Sequence, residues 1–325
     1  MIEVVSKEEN SIILENTLNT FLLTGNSAIV YNIISQIMYY AVPLFVMISG
    51  TLFLNPEKEI TIKELYSKYI KKIVIALILF GVLYSFLELY FDTRVISLDM
   101  LVKSFKNLIT GDLWAHMWYI YLILGLYMIT PLLKKFTDTC SLKEYNYLLV
   151  LLFIFTVILV DISSIFNINI AFNILIINPY ILLFMLGDYL ARFNINKKIE
   201  IINYFISIIF IILIVFNNIY NFMSIPITYT SVGVISICIS LYLLCKNSIK
   251  NNEQKSIFLS ITKCGFGIYL IHQFFINVIF KLLKFDLILD YPYLGLILYT
   301  FIIFITSYIT TGILRKIKFV NKYIL

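Results

Sequence analysis

Two histidines, His116 and His272, are the whole histidine inventory of this 325-residue chain. Imidazole is the side chain whose unperturbed pKa lies nearest neutrality, so it gives or takes a proton at working pH. Both histidines fall in apolar runs. His116 sits in Leu113-Trp114-Ala115-His116-Met117-Trp118-Tyr119, and His272 in Gly265-Phe266-Gly267-Ile268-Tyr269-Leu270-Ile271-His272. Ionisable groups at membrane depth are costly and by default mark a functional site. The rings around His116 read in two ways. Trp114, Trp118, Tyr119 and Tyr121 suit an interfacial belt around a wet histidine. They equally suit an aromatic-walled site, where apolar ring faces stack and polar tips hydrogen-bond. At His272 the choice is between a hydrogen-bonded core residue and a site group, with Gly265 and Gly267 allowing a bend or close packing just before it.

Other residues offer binding rather than proton transfer. Lys68, Lys71 and Lys72 lie three and four residues apart, on one helix face. Such ammonium groups hold phosphates as point charges, or simply anchor a helix on the basic side of a membrane. In Val42-Pro43-Leu44-Phe45-Val46-Met47-Ile48-Ser49-Gly50, Pro43 kinks the helix. Ser49 and Gly50 then admit another backbone or a ligand. Glu88 follows Tyr84 by one turn near a span end, where snorkelling to water accounts for it. Asp188 and Arg192 read as a structural ion pair at i,i+4. The four cysteines lack metal-ligand spacing, so neither a disulfide framework nor a zinc site is expected. No nucleotide loop, zinc-protease helix, nucleophile elbow or dinucleotide fingerprint occurs.

The elements that must position these groups follow from composition. The chain is 61% hydrophobic and 14% charged, whereas a soluble domain carries about 25% charge. Its apolar runs are continuous rather than alternating. The fold class is therefore all-α integral membrane, a polytopic helix bundle. Nine segments reach span length: 28–54, 73–92, 113–133, 146–166, 171–191, 199–217, 228–245, 264–283 and 292–314. Basic residues concentrate in the first, third, fifth and seventh loops and in the tail, while the loops near 167–173 and 217–227 carry no charge. That asymmetry predicts a cytoplasmic C-terminus and odd loops, and residues 1–27 as an extracytoplasmic segment ahead of a membrane domain at 28–325. The net charge of +6 is spread over loops, which argues against nucleic acid as a partner. On these spans His116 lies about 5 Å below the outer surface and His272 near mid-membrane, about 10 Å further in. A catalytic dyad between them is not expected; two walls of one cavity are.

Five pieces in order resemble the membrane acyltransferase family 3, whose members are bacterial sugar O-acyltransferases. They are Val42 to Gly50, the basic helix Tyr66-Ser67-Lys68-Tyr69-Ile70-Lys71-Lys72, and His116-Met117-Trp118-Tyr119-Ile120 with Gly125-Leu126-Tyr127 and Pro131. Phe184-Met185-Leu186-Gly187-Asp188-Tyr189 and Gly267-Ile268-Tyr269-Leu270-Ile271-His272 complete the set. The resemblance implies a ten-helix protein of the bacterial plasma membrane. It would take an acyl group, typically acetyl, from cytoplasmic acyl-CoA and place it on a hydroxyl of an envelope glycan or lipid-linked sugar. Acyl-CoA is then a co-substrate, no cofactor is permanently bound, and no metal is required. Family members carry an arginine and a histidine in a first helix. Residues 9–27 read as the loop after that helix, so a further helix is expected in front, and its histidine's role passes to no residue here.

Acyl transfer needs a base for the hydroxyl, a donor to steady the oxyanion, and cations for the CoA phosphates. With the resemblance, His116 and His272 become the catalytic candidates, with Trp118, Tyr119, Glu88 and Tyr269 around the acceptor. Ser49, Gly50, Lys68, Lys71 and Lys72 become the candidates for binding acyl-CoA. Two alternatives remain beside this reading: an exporter of polysaccharide or lipid-linked sugar, and an inactive truncated member of the family.

Overall fold

Long apolar runs without water must satisfy their backbone internally, and here they do so as helices. A computed structural model describes residues 3–8, 11–16, 19–168, 178–221, 226–248, 256–283 and 291–325. The main helices are α1 (Gly25–Phe53), α2 (Ile62–Thr93), α3 (Leu98–Thr110), α4 (Ala115–Thr139) and α5 (Leu142–Phe166). They continue with α6 (Pro179–Arg192), α7 (Lys197–Tyr220), α8 (Val232–Ser248), α9 (Ser256–Asn277), α10 (Pro292–Leu314) and the short α11 (Lys318–Tyr323). Among the described residues, seven helices are long and apolar enough to cross a membrane. The protein is a polytopic helical membrane protein. The expected fifth and seventh spans are the shorter α6 and α8, and residues 169–177, where the fifth was expected to begin, lie outside the described residues. So do 249–255 and 284–290, with the loop charges expected there.

Two features were not expected. Residues within the segment 1–27 expected outside the membrane pair as an antiparallel meander of β1 (Glu3–Glu8), β2 (Ser11–Asn16) and β3 (Asn19–Thr24). The loop after the second span contains α3, an amphipathic helix. Ser97 caps it by accepting from the Met100 amide, and Gly111 in a left-handed conformation (φ 80°) ends it.

The chain forms two compact units. One comprises Met1–Ala28, Lys63–Leu124 and Glu253–Leu325, and so holds α2, α3, the start of α4, and α9 to α11. Here α3 lies on α2: a Cβ on Gly81 would meet the Leu108 side chain, and Asn107 donates to Ser85 Oγ at 3.0 Å. Gly267 of α9 gives Thr311 of α10 its space. The Tyr84 hydroxyl of α2 donates to the Leu270 carbonyl of α9 at 2.7 Å. The other unit comprises Ile29–Ile62 and Gly125–Asn252. Within it α1 and α6 touch backbone to backbone, because a Cβ on Gly50 would collide with the Phe184 carbonyl and one on Gly187 with the Met47 carbonyl. Small residues allow this close approach of apolar helices.

The start expected for the helix that carries His272 needs correction. α9 begins at Ser256, eight residues before the expected start at 264. Polar residues in its first turns, Ser260, Thr262 and Lys263, hid that start. The ring sits about 24 Å along the helix axis from its first residue, and the helix runs on through a π-helical turn at Val278–Leu282.

Candidate functional site

His116 lies in a 3-10 turn, Ala115–Met117, at the mouth of α4, and His272 lies in the last turns of α9. Their rings meet edge-on, with centroids 5.2 Å apart. The separation expected from the sequence is thus overturned, and the two form one cluster. Tyr269 lies 5.6 Å from His116 and 5.9 Å from His272, and its hydroxyl donates to the His116 carbonyl. That bond ties the 3-10 turn to α9.

The two imidazoles are held differently. His272 Nδ1 is 2.6 Å from the Tyr269 carbonyl. A carbonyl only accepts, so Nδ1 carries the proton and Nε2 keeps its lone pair. Among the described residues, neither ring nitrogen of His116 has a hydrogen-bond partner, although both are buried. The Leu270 carbonyl near its ring already accepts from Tyr84. A buried polar group without a partner is rare in a finished core. With those nitrogens buried, the rings around His116 act as walls rather than as an exposed belt.

The walls are specific. Trp114, read as an interfacial ring, is only 4% exposed and stacks on Tyr84 with centroids 4.1 Å apart and planes 12° from parallel. Its indole N–H donates to Glu88 at 2.9 Å. Glu88 therefore does not simply snorkel: it fixes the indole that supports Tyr84, which in turn stands 5.8 Å from His116. From the other side, Trp118, 37% exposed, meets Tyr119 edge-on, and Tyr119 meets Tyr269 at 5.5 Å. A run of rings thus leads from an exposed tryptophan to the histidines. Tyr84 and Trp114 are the members that sequence reasoning missed as a pair. The available signal was the i,i+4 spacing of Tyr84 and Glu88, a carboxylate needing a donor in an apolar helix.

The residues assigned to acyl-CoA are divided between the two units. Ser49 and Gly50 belong to the other unit, where the space at Gly50 is filled by the α6 backbone. Lys68 is paired with Glu64 at 3.3 Å. Lys71 and Lys72 turn instead towards the C-terminal tail. A π-helical turn at Leu65–Ile70 breaks the regular spacing that placed all three on one face. Among the described residues, no group of three His, Cys, Asp or Glu could hold a metal ion.

A membrane helix bundle with an aromatic-walled histidine pair suits group transfer at a bilayer, and the sequence of the acyltransferase 3 family, an acyltransferase domain, matches residues 14–316. The chain belongs to that family. Neither a curated protein nor a solved structure matches it.

Proposed function

We propose that this protein is a membrane O-acyltransferase that moves an acetyl or similar acyl group from cytoplasmic acyl-CoA to a hydroxyl of an envelope sugar or polysaccharide. The observation that carries this reading is the His116–His272 pair: one imidazole with a fixed tautomer, the other buried without a hydrogen-bond partner. His272 Nε2 takes the acceptor's hydroxyl proton as the oxygen attacks the thioester carbonyl. His116, in the tautomer that donates, steadies the oxygen of the tetrahedral intermediate. The C–S bond then breaks, and the CoA thiolate takes the proton back from the His272 imidazolium. Trp118, Tyr119 and Tyr269 offer ring faces to the apolar side of a sugar. The chain sits in the bacterial plasma membrane with its C-terminus inside, as the loop charges imply.

The test is acetyl transfer by the purified protein in lipid nanodiscs. Radiolabelled acetyl-CoA and envelope polysaccharide are supplied, and free CoA thiol and labelled glycan are counted. Thiol release that requires the glycan supports the reading. Movement of a lipid-linked sugar across proteoliposomes with no acyl-CoA consumed would replace it with export.

A further inference from the structure

The lysines of α2 lead to a part of the chain that neither the sequence motifs nor the family assignment marked. The tail 315–325 folds back over them. Lys72 Nζ donates to the carbonyl oxygen of Asn321 at 3.2 Å and to a carboxyl oxygen of Leu325, the last residue of this sequence, at 3.4 Å. Arg315 Nε donates to the side-chain oxygen of the same Asn321 at 3.3 Å. Lys71 stands over the Tyr323 ring at 5.3 Å. Ile324 is buried, and the Leu325 side chain lies against Gly267 of α9, so the tail is seated rather than loose.

The charge arrangement is unusual. Lys72 feels the like charges of Arg315 and Lys68. Among the described residues, no Asp or Glu side chain is paired with Lys71, Lys72 or Arg315. Three cations brought together repel one another, and each gains from an anion placed between them. The neutral oxygens of Asn321 are weak substitutes for such an anion. Asn321 presents two oxygens to two cations, which is the pattern a phosphate presents to a lysine and an arginine.

We propose that Lys71, Lys72 and Arg315 form a phosphate-binding site and that residues 318–325 are its latch, with Asn321 occupying the place of a ligand phosphate until the ligand displaces it. The ligand class is a polyphosphate nucleotide thioester, so this inference rests on the acyl-CoA reading of the donor. It adds Arg315 to the site and makes donor binding compete with the tail. A single phosphate gives too little charge to lift a seated segment, whereas the three phosphates of CoA engage all three cations at once.

The competition predicts opposite signs from neighbouring substitutions. Asn321→Asp adds a charge to the latch and holds it down. Tyr323→Ala and Ile324→Asp remove its ring contact and its buried anchor, and release it. The experiment is calorimetric titration of CoA, and separately of inorganic phosphate, into the full chain in nanodiscs. Thermal unfolding of each variant confirms that it is folded. The expected result is CoA binding weakened about tenfold or more by Asn321→Asp and by Arg315→Ala, and tightened severalfold by Tyr323→Ala or Ile324→Asp, since charge-assisted contacts are the strong ones. If Lys72→Ala and Arg315→Ala weaken CoA binding while all three tail variants leave it unchanged, the site stands and the latch is overturned. If Lys72→Ala and Arg315→Ala also leave it unchanged, the donor site itself is misplaced. If inorganic phosphate binds as tightly as CoA, the polyphosphate assignment is wrong.

Discussion

Two buried polar networks in this protein obey opposite rules. In the unit containing α6, Arg192 gives Nε to Asp188 at 2.8 Å, Nη1 to the Thr137 carbonyl at 3.1 Å, and Nη2 to Asp138 at 3.0 Å and to the Leu54 carbonyl. Asp188 is fully buried and also accepts from the Tyr145 hydroxyl at 3.0 Å. Lys134 closes the network on Asp138 at 2.9 Å and on the Asn55 carbonyl at 2.8 Å. Charge and hydrogen-bonding capacity are used up between α1, α4, α5 and α6. In the other unit, among the described residues, the His116 ring nitrogens are buried without hydrogen-bond partners, and so are the Ser307 and Thr311 hydroxyls on α10. Both clusters contain polar groups in an apolar protein, yet only the saturated one is finished as architecture. A buried group is costly until it is paired. The unpaired histidine is therefore the one poised for something that arrives later.

The comparison can be broken most directly at Arg192. Arg192→Ala leaves the Asp188 carboxylate buried and uncompensated, and the expected loss of stability is about 3–5 kcal/mol, read by chemical or thermal unfolding in detergent. A loss below about 1 kcal/mol would show that the network is not structural. At the histidine the expectation inverts. His116→Phe keeps the ring volume and removes no hydrogen bond, so the unfolding midpoint stays within error. Acyl transfer falls by about 10²-fold or more, because a group acting in proton transfer or oxyanion binding is lost. A destabilised but active variant would reverse the two assignments.

Smaller effects sharpen the same contrast. Gly187→Leu forces a side chain into the Met47 backbone, and the expected cost is about 1–3 kcal/mol or misassembly, read by the same unfolding assay. Tyr84→Phe removes one hydrogen bond to Leu270 but leaves the stack on Trp114. Its expected cost is about 1 kcal/mol of stability, with a modest change in acceptor KM.

The legible parts of the fold were those set by composition and local spacing. Helical spans were readable because lipid leaves helices as the economical way to satisfy long apolar backbones. The Asp188–Arg192 pair was readable because i,i+4 neighbours meet on any helix. What was not readable depended on where elements begin and what they touch. A polar first turn concealed the start of α9, which begins at Ser256 rather than at 264. One π-helical turn changed the directions of Lys71 and Lys72. Trp114 looked like an interfacial ring because its partners, Tyr84 and Glu88, come from another helix.

By itself the sequence determined that this chain lives in a bilayer, belongs to the acyltransferase 3 family, and has only two histidines with which to do proton chemistry near neutrality. Those are properties of residue type and order, and no packing alters them. Only the tertiary structure decided that the two imidazoles meet, that one has its tautomer fixed while the other is unpaired, and that the tail covers the lysines. Such contacts join residues far apart along the chain. Their distances follow from helix ends, glycine-lined crossings and buried hydrogen bonds, which no local pattern encodes.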